Sequence, residues 1–162
     1  MSVVQTNQAQ DAALVSLNEN KEYLTMEIAG QMFGVPVLLV QDVLGEQKVT
    51  KIPLARPEIA GSLNLRGRVV TAINVRKRLH LDDSTGGEHM SIVVEHEEEL
   101  YSLMVDKVGD VISLSSKEFE KNPATLDTTL REISAGIYRL KEQLLVILDV
   151  SSLLKSLTDD RT

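Results

Sequence analysis

The chain repeats itself, and this limits its possible folds more than any other feature. Val40-Gln41-Asp42-Val43-Leu44 matches Val108-Gly109-Asp110-Val111-Ile112 at an offset of 68 residues. The same offset lays Leu24 over Ile92, Phe33 over Tyr101 and Val35 over Leu103. Further along the offset becomes 75, so that Ala60-Gly61-Ser62-Leu63-Asn64-Leu65 lies over Ala135-Gly136-Ile137-Tyr138-Arg139-Leu140, and Ala72–Val75 over Ile147–Val150. The change implies an insertion of about seven residues, which the polar stretch 115–131 accommodates at little entropic cost. Several segments matching in one order with one gap predict two copies of a small unit.

Each unit reads as β. Leu24, Met26 and Ile28 alternate with Thr25 and Glu27, the period of a half-buried strand. Phe33-Gly34-Val35 forms the next strand and ends at Pro36, which has no N–H for a ladder. Val37, Val40, Val43 and Leu44 fit a helical turn or two better than a strand. Leu63–Leu65 and Val69–Val75 flank Arg66-Gly67-Arg68, a hairpin in which glycine supplies positive φ. Ile92–Glu95 and Leu100–Val105 flank an acidic turn at Glu97-Glu98-Glu99, Val108–Leu114 adds a strand, and Ile137–Leu140 and Leu144–Leu148 flank Lys141-Glu142. Leu126 and Leu130 pin a short helical piece, and Ser151-Ser152 caps a closing helix of about residues 151–158. Strands so closely spaced predict a mostly β fold of two tandem small barrels. The first spans about residues 20–85 and the second about 86–150, with exchange of strands between them left open. Residues 1–19, rich in Gln, Asn and Ser, read as a flexible tail.

The chain has no cysteine, which excludes disulfides, thiolate metal sites and cysteine nucleophiles. The start has no basic n-region followed by an apolar run, and no stretch approaches the ~20 apolar residues that span a bilayer. These features fit a cytoplasmic protein that does not insert directly into a membrane. Net charge is −7, yet Lys48–His80 carries eight basic residues against the single acid Glu58, leaving −14 on the rest. Such asymmetry suggests a charged partner surface. Nucleic acid is one such partner, but the segment has no aromatic residue for base stacking and no DNA-binding motif.

Catalytic patterns are missing from the sequence. There is no phosphate-cradling glycine loop and no Gly-x-Ser-x-Gly elbow. His89 and His96 fall on opposite faces of one strand, and His80 has no partner at ligand spacing. Glu97-Glu98-Glu99 reads as a solvated turn, and Asp82-Asp83 as linker without calcium-loop spacing. The residues therefore point to a binding protein, not an enzyme, with no cofactor and no metal.

Phe33-Gly34-Val35 followed by Val40-Gln41-Asp42-Val43, Ile52-Pro53 through Pro57 and Gly61 to Asn64-Leu65-Arg66-Gly67, then Val105-Asp106-Lys107-Val108 and Leu148-Asp149-Val150, resemble the CheW family. The resemblance covers Tyr23 to about Leu157. It implies two five-stranded barrels of the Src homology 3 type with a short C-terminal helix. It also implies an adaptor between the cytoplasmic tips of methyl-accepting chemoreceptors and the regulatory domain of the histidine kinase CheA. Such an adaptor is a monomer in isolation and forms rings with CheA in receptor arrays at the inner membrane. By the same resemblance, Arg66 sits at the arginine used for receptor coupling. Asn64 and Gly67 flank it in the loop, and Gly61, Val37, Val40 and Asp42 fall at further partner-binding positions. Two departures stand out: Asp42 replaces the usual glutamate, and Asn74-Val75-Arg76 replaces the usual Asp-Leu-Arg. An accessory adaptor of a non-flagellar chemosensory pathway and a small nucleic-acid-binding barrel are the competing readings.

Overall fold

The computed structural model describes residues 20–81 and 89–158; the expected tail and the linker at Asp82-Asp83 lie outside them. Among these residues, ten strands form two five-stranded sheets. They are β1 (Asn20–Ile28), β2 (Gln31–Pro36), β3 (Val40–Leu44), β4 (Ile59–Leu65), β5 (Arg68–Asn74), β6 (Met90–His96), β7 (Glu99–Val105), β8 (Lys107–Ser115), β9 (Ser134–Arg139) and β10 (Leu144–Leu148). Three short helices accompany them: α1 (Val75–Arg78), α2 (Thr128–Ile133) and α3 (Val150–Thr158). One sheet has the order β8-β1-β2-β10-β9, the other β3-β6-β7-β5-β4. Each is a small barrel of the Src homology 3 type. No helix among the described residues is long and apolar enough to cross a membrane.

Each sheet takes strands from both halves of the chain, so neither barrel is a continuous stretch. The boundary near residue 85 divides the repeat and not the barrels. The hydrogen-bond register reproduces the repeat residue by residue. Leu24 faces Val35 in one sheet and Ile92 faces Leu103 in the other. The parallel pair Phe33–Val146 recurs as Tyr101–Thr71, and Gly136–Ile147 recurs as Gly61–Ala72. Even the irregularities repeat: the β1–β8 ladder shifts between Leu24 and Met26, and the β3–β6 ladder shifts between Val40 and Asp42.

Burial follows from the alternation. Leu24, Met26, Ile28, Phe33 and Val35 of one sheet meet Ile73, Ile92, Val94, Leu103 and Val105 of the other in a shared core. The helix α3 closes this core with Leu153, Leu154 and Leu157. Each such side chain contributes about 1.5–3 kcal/mol relative to exposure. Two smaller clusters belong to one sheet each: Tyr23, Tyr138, Leu145 and Ile147, and Val70, Val93 and Leu100. Within the first, the Tyr23 and Tyr138 hydroxyls lie 3.3 Å apart, and burial, followed by the Tyr23 hydroxyl, pushes the Tyr138 phenol up.

Two local expectations are corrected. Residues 40–44 are a strand, not helical turns; within the 37–44 run only Val37–Leu39 makes a 3-10 turn. The bulge in β3 adds a residue to the strand, so its apolar positions fall at a spacing that imitates a helix. The cap of α3 is Asp149, whose Oδ1 accepts from Ser152 N at 3.1 Å, and not Ser151-Ser152. Its repeat counterpart Asn74 caps α1 in the same way, accepting from Lys77 N at 3.1 Å.

Candidate functional site: the seam of one barrel

Strands β3 and β4 are the two edges of one sheet. Arg66, at the tip of the β4–β5 hairpin, reaches Asp42 on β3 with Nη2–Oδ2 at 2.9 Å, and so spans the seam between those edges. The contact has ion-pair distance without the alignment of a hydrogen bond, while Asp42 Oδ1 accepts from Val43 N at 2.9 Å. The Arg66 side chain is 76% exposed, against 24% for Asp42. A pair this open to water contributes about 0–1 kcal/mol, so bracing is a small part of what Arg66 can do. Asp42, though one methylene shorter than glutamate, has the reach for this contact.

The turn itself is strained. Arg66 has φ 51° and Gly67 φ 86°, the two left-handed residues of a two-residue hairpin whose twist suits the flanking strands. Sequence spacing anticipated this conformation for the glycine alone. The Asn64 side chain holds the turn, its Oδ1 accepting from Gly67 N at 2.9 Å. A left-handed arginine costs roughly 1 kcal/mol or more. The strain presents a guanidinium fork to solvent from a rigid base.

The structure sorts the remaining expected residues. Asn64, Arg66 and Gly67 are exposed in the turn, with Asp42 across the seam. Val40 is half-buried and packs against the shared core. Val37 also packs there, and it lines a groove to which none of the Arg66 group contributes. Gly61 is buried, with φ 149°, and an added Cβ would lie 2.2 Å from Thr50 O. It lets Thr50 and Ser62 exchange two 2.8 Å backbone hydrogen bonds, so it acts on the seam through the backbone. Sequence reading missed Val69, 71% exposed beside the turn, and Leu38, 94% exposed. Val69 sits in a run that reads as strand and Leu38 in one that reads as helical turns, and only the three-dimensional packing exposes them.

Much of the basic segment is engaged internally. Arg56 faces Glu58 at 3.6 Å, Arg66 faces Asp42, Arg76 binds Asp106 at 2.8 Å and Arg78 faces Glu132 at 3.6 Å. Four of the segment's eight basic residues, all arginines, thus face a nearby acid. Among the described residues, no group of three or more His, Asp or Glu is arranged to hold a metal ion.

The comparisons with known proteins bear on family and fold. The family model described as CheW-like domain matches residues 22–158. The chain belongs to the CheW-like family. It is 29% identical over 137 residues to the chemotaxis protein CheW of Klebsiella aerogenes, covering 84% of this chain and 82% of that one. Against the chemotaxis protein CheW of Treponema pallidum it is 25% identical over 144 residues, covering 86% and 85%. Among solved structures, the scaffolding protein TtCheW from Thermoanaerobacter tengcongensis superposes with a TM-score of 0.72 at 27% identity, covering 80% of this chain and 88% of that one. Within the family the departure at Asn74 has a physical account: asparagine caps a helix as well as aspartate does.

Proposed function

We propose that this chain is a scaffold of chemotaxis signalling that couples methyl-accepting chemoreceptors to the regulatory domain of the histidine kinase CheA. The Arg66 seam is its receptor contact. The observation that carries this reading is the arginine itself, held in a costly left-handed turn, loosely tethered to Asp42 and three-quarters exposed. Strain of this kind persists where it serves a site. A planar guanidinium can bond a carboxylate or backbone carbonyls at the tip of a receptor's helical hairpin with a geometry that lysine lacks. The kinase contact uses apolar barrel surface elsewhere, where a few residues dominate the energy. The chain adds no chemistry of its own, works at the inner face of the membrane where receptors recruit it, and enters rings with the kinase.

Reconstituted phosphorylation with receptor, kinase and this chain tests the reading. Arg66→Ala is expected to keep kinase binding in titration calorimetry and to lose receptor-dependent kinase activation. Arg139→Ala, which removes an exposed 2.9 Å pair with Glu120 on the other sheet, is expected to couple normally. Normal coupling by Arg66→Ala would remove the receptor role from this turn.

A further inference from the structure

The loop between β3 and β4 holds out an apolar side chain in an unfavourable backbone conformation. Ile52–Ala55 form a type II turn, closed by Ala55 N donating to Ile52 O at 3.3 Å, with Pro53 in its second position. The third position requires positive φ and takes glycine or asparagine most readily; here it is Leu54, at φ 65° and wholly exposed. Leu54 edges a groove of about 890 Å³ whose apolar lining includes Ile59, Leu154 and Leu157. Neither the Arg66 turn nor the crossing from β2 to β3 contributes to this groove. Its charged lining has both signs, with Glu97 and Glu99 from the β6–β7 turn and Lys155 from α3. Glu97 Oε2 lies 3.0 Å from His96 Nε2, and Glu99 Oε2 accepts from the Tyr101 hydroxyl at 3.4 Å, so the acidic wall is held in place. At the offset of 68, Glu97-Glu98 correspond to Ala29-Gly30, whose glycine suits the same left-handed turn. The glutamates adopt φ 50° and 67° against their preference.

One patch thus holds both members of each complementary pair: an exposed apolar knob with an apolar groove, and acidic groups with a basic one. Surfaces of that kind match themselves across a two-fold axis, where one residue meets a second and the second meets the first. We infer that this groove is an isologous contact between two copies of this chain. Leu54 of each copy seats in the groove of the other, and Glu97 of each faces Lys155 of the other. The strain at Leu54 and at Glu97-Glu98 presents those groups rigidly. A contact of one knob and one groove per copy belongs to the small, weak class, below about 1,200 Å² in total. The pair therefore forms when the chain is concentrated and dissociates on dilution, in keeping with a family whose members are expected as monomers in isolation. The inference does not depend on the receptor assignment of Arg66.

Sedimentation equilibrium of the full chain, between about 10 µM and about 1 mM, tests the contact. The weight-average mass is expected to rise towards two copies and no further, with a Kd on the order of 100 µM. Leu54→Gly suits φ 65°, so it is expected to melt close to the parent and to associate at least about tenfold more weakly. Glu97→Lys and Lys155→Glu are each expected to weaken association at least about fivefold. An equimolar mixture of those two variants is expected to recover it, because the two-fold axis then sets each altered charge against its opposite. Leu38→Asp, at another exposed leucine, and Arg66→Ala are expected to leave association unchanged. Thermal melts check the fold of every variant; if a charge variant melts early, Leu54→Gly gives the reading. A constant monomer mass up to about 1 mM, or growth beyond two copies, would overturn the inference. So would undiminished association of Leu54→Gly, a mixture no tighter than its components, or weakening by Leu38→Asp or Arg66→Ala.

Discussion

Arg76 and Asp106 meet through two parallel hydrogen bonds, Nε to Oδ1 and Nη2 to Oδ2, both 2.8 Å. The two residues lie 30 positions apart, one at the helix that ends a hairpin and the other at a crossing between sheets. The hydrogen bond from Arg76 holds the Asp106 carboxyl below its ordinary value of 3.8, against the opposing effect of burial and with help from Ala29 N–H. A depressed carboxylate stabilises the fold fully above its unfolded pKa and loses that contribution as pH falls through the folded value. Asp106→Asn is therefore expected to cost about 1–3 kcal/mol at neutral pH. The gap from the parent should narrow below about pH 4. Urea unfolding of both proteins between pH 3 and 7 measures it, and a gap that does not change with pH would contradict the assignment.

The repeat predicts paired glycine effects. Gly61 and Gly136 are counterparts, and both let an adjoining segment close on the sheet. An added Cβ at Gly61 meets Thr50 O at 2.2 Å, with φ 149° disfavouring any side chain. At Gly136 it meets the Phe119 ring at 2.2 Å and Glu120 O at 2.5 Å, a clash with backbone as well, but without the positive φ that adds strain at Gly61. Gly61→Ala is expected to cost about 3 kcal/mol or more, and Gly136→Ala about 2–3 kcal/mol. Gly30, at φ 82° with nothing within 4 Å, should cost only about 1 kcal/mol on change to alanine. Denaturant midpoints should follow that order.

Those glycines show what the sequence made legible. Offsets of 68 and 75, read from residue matches, are the register of two sheets, because duplicated strands keep their pairing partners. Which sheet each strand joins was not legible: pairing β2 with β10 and β5 with β7 depends on parallel contacts between distant segments, which local periodicity does not encode. At the seam, Arg66 and Asn64-Gly67 followed from hairpin chemistry and resemblance. Nothing in the pattern fixes which edge strand lies across the gap, so the sequence does not single out Asp42 as the residue Arg66 meets. The separation of Val37 from that group needed the fold.

Helix capping offers a test that leaves the Arg66 turn untouched. Asn74 and Asp149 cap α1 and α3 with the same geometry, each accepting at 3.1 Å from the N–H three residues on. Alanine at either position is expected to cost about 1 kcal/mol. Asn74→Asp keeps the acceptor and should change stability by less than about 0.5 kcal/mol. Thermal melts decide, and a large loss in Asn74→Asp would mean that the asparagine amide has a role its oxygen does not explain.

If Arg66 is the receptor contact proposed above, its turn sets stability against coupling. Its φ of 51° suits asparagine or glycine better than arginine, and the Asp42 pair it forms is too exposed to repay the difference. Arg66→Asn should therefore raise stability by up to about 1 kcal/mol, seen as a small increase in Tm. The same change removes the guanidinium, so receptor-dependent activation of the kinase should fall while kinase binding persists. Arg66→Lys separates charge from geometry: it keeps the positive group near Asp42 and loses the planar fork. If a fork contact to the receptor is what matters, lysine restores little of the coupling; if a point charge suffices, it restores most. A stabilised Arg66→Asn protein that still couples fully would show that the turn is strained for some other reason than receptor contact.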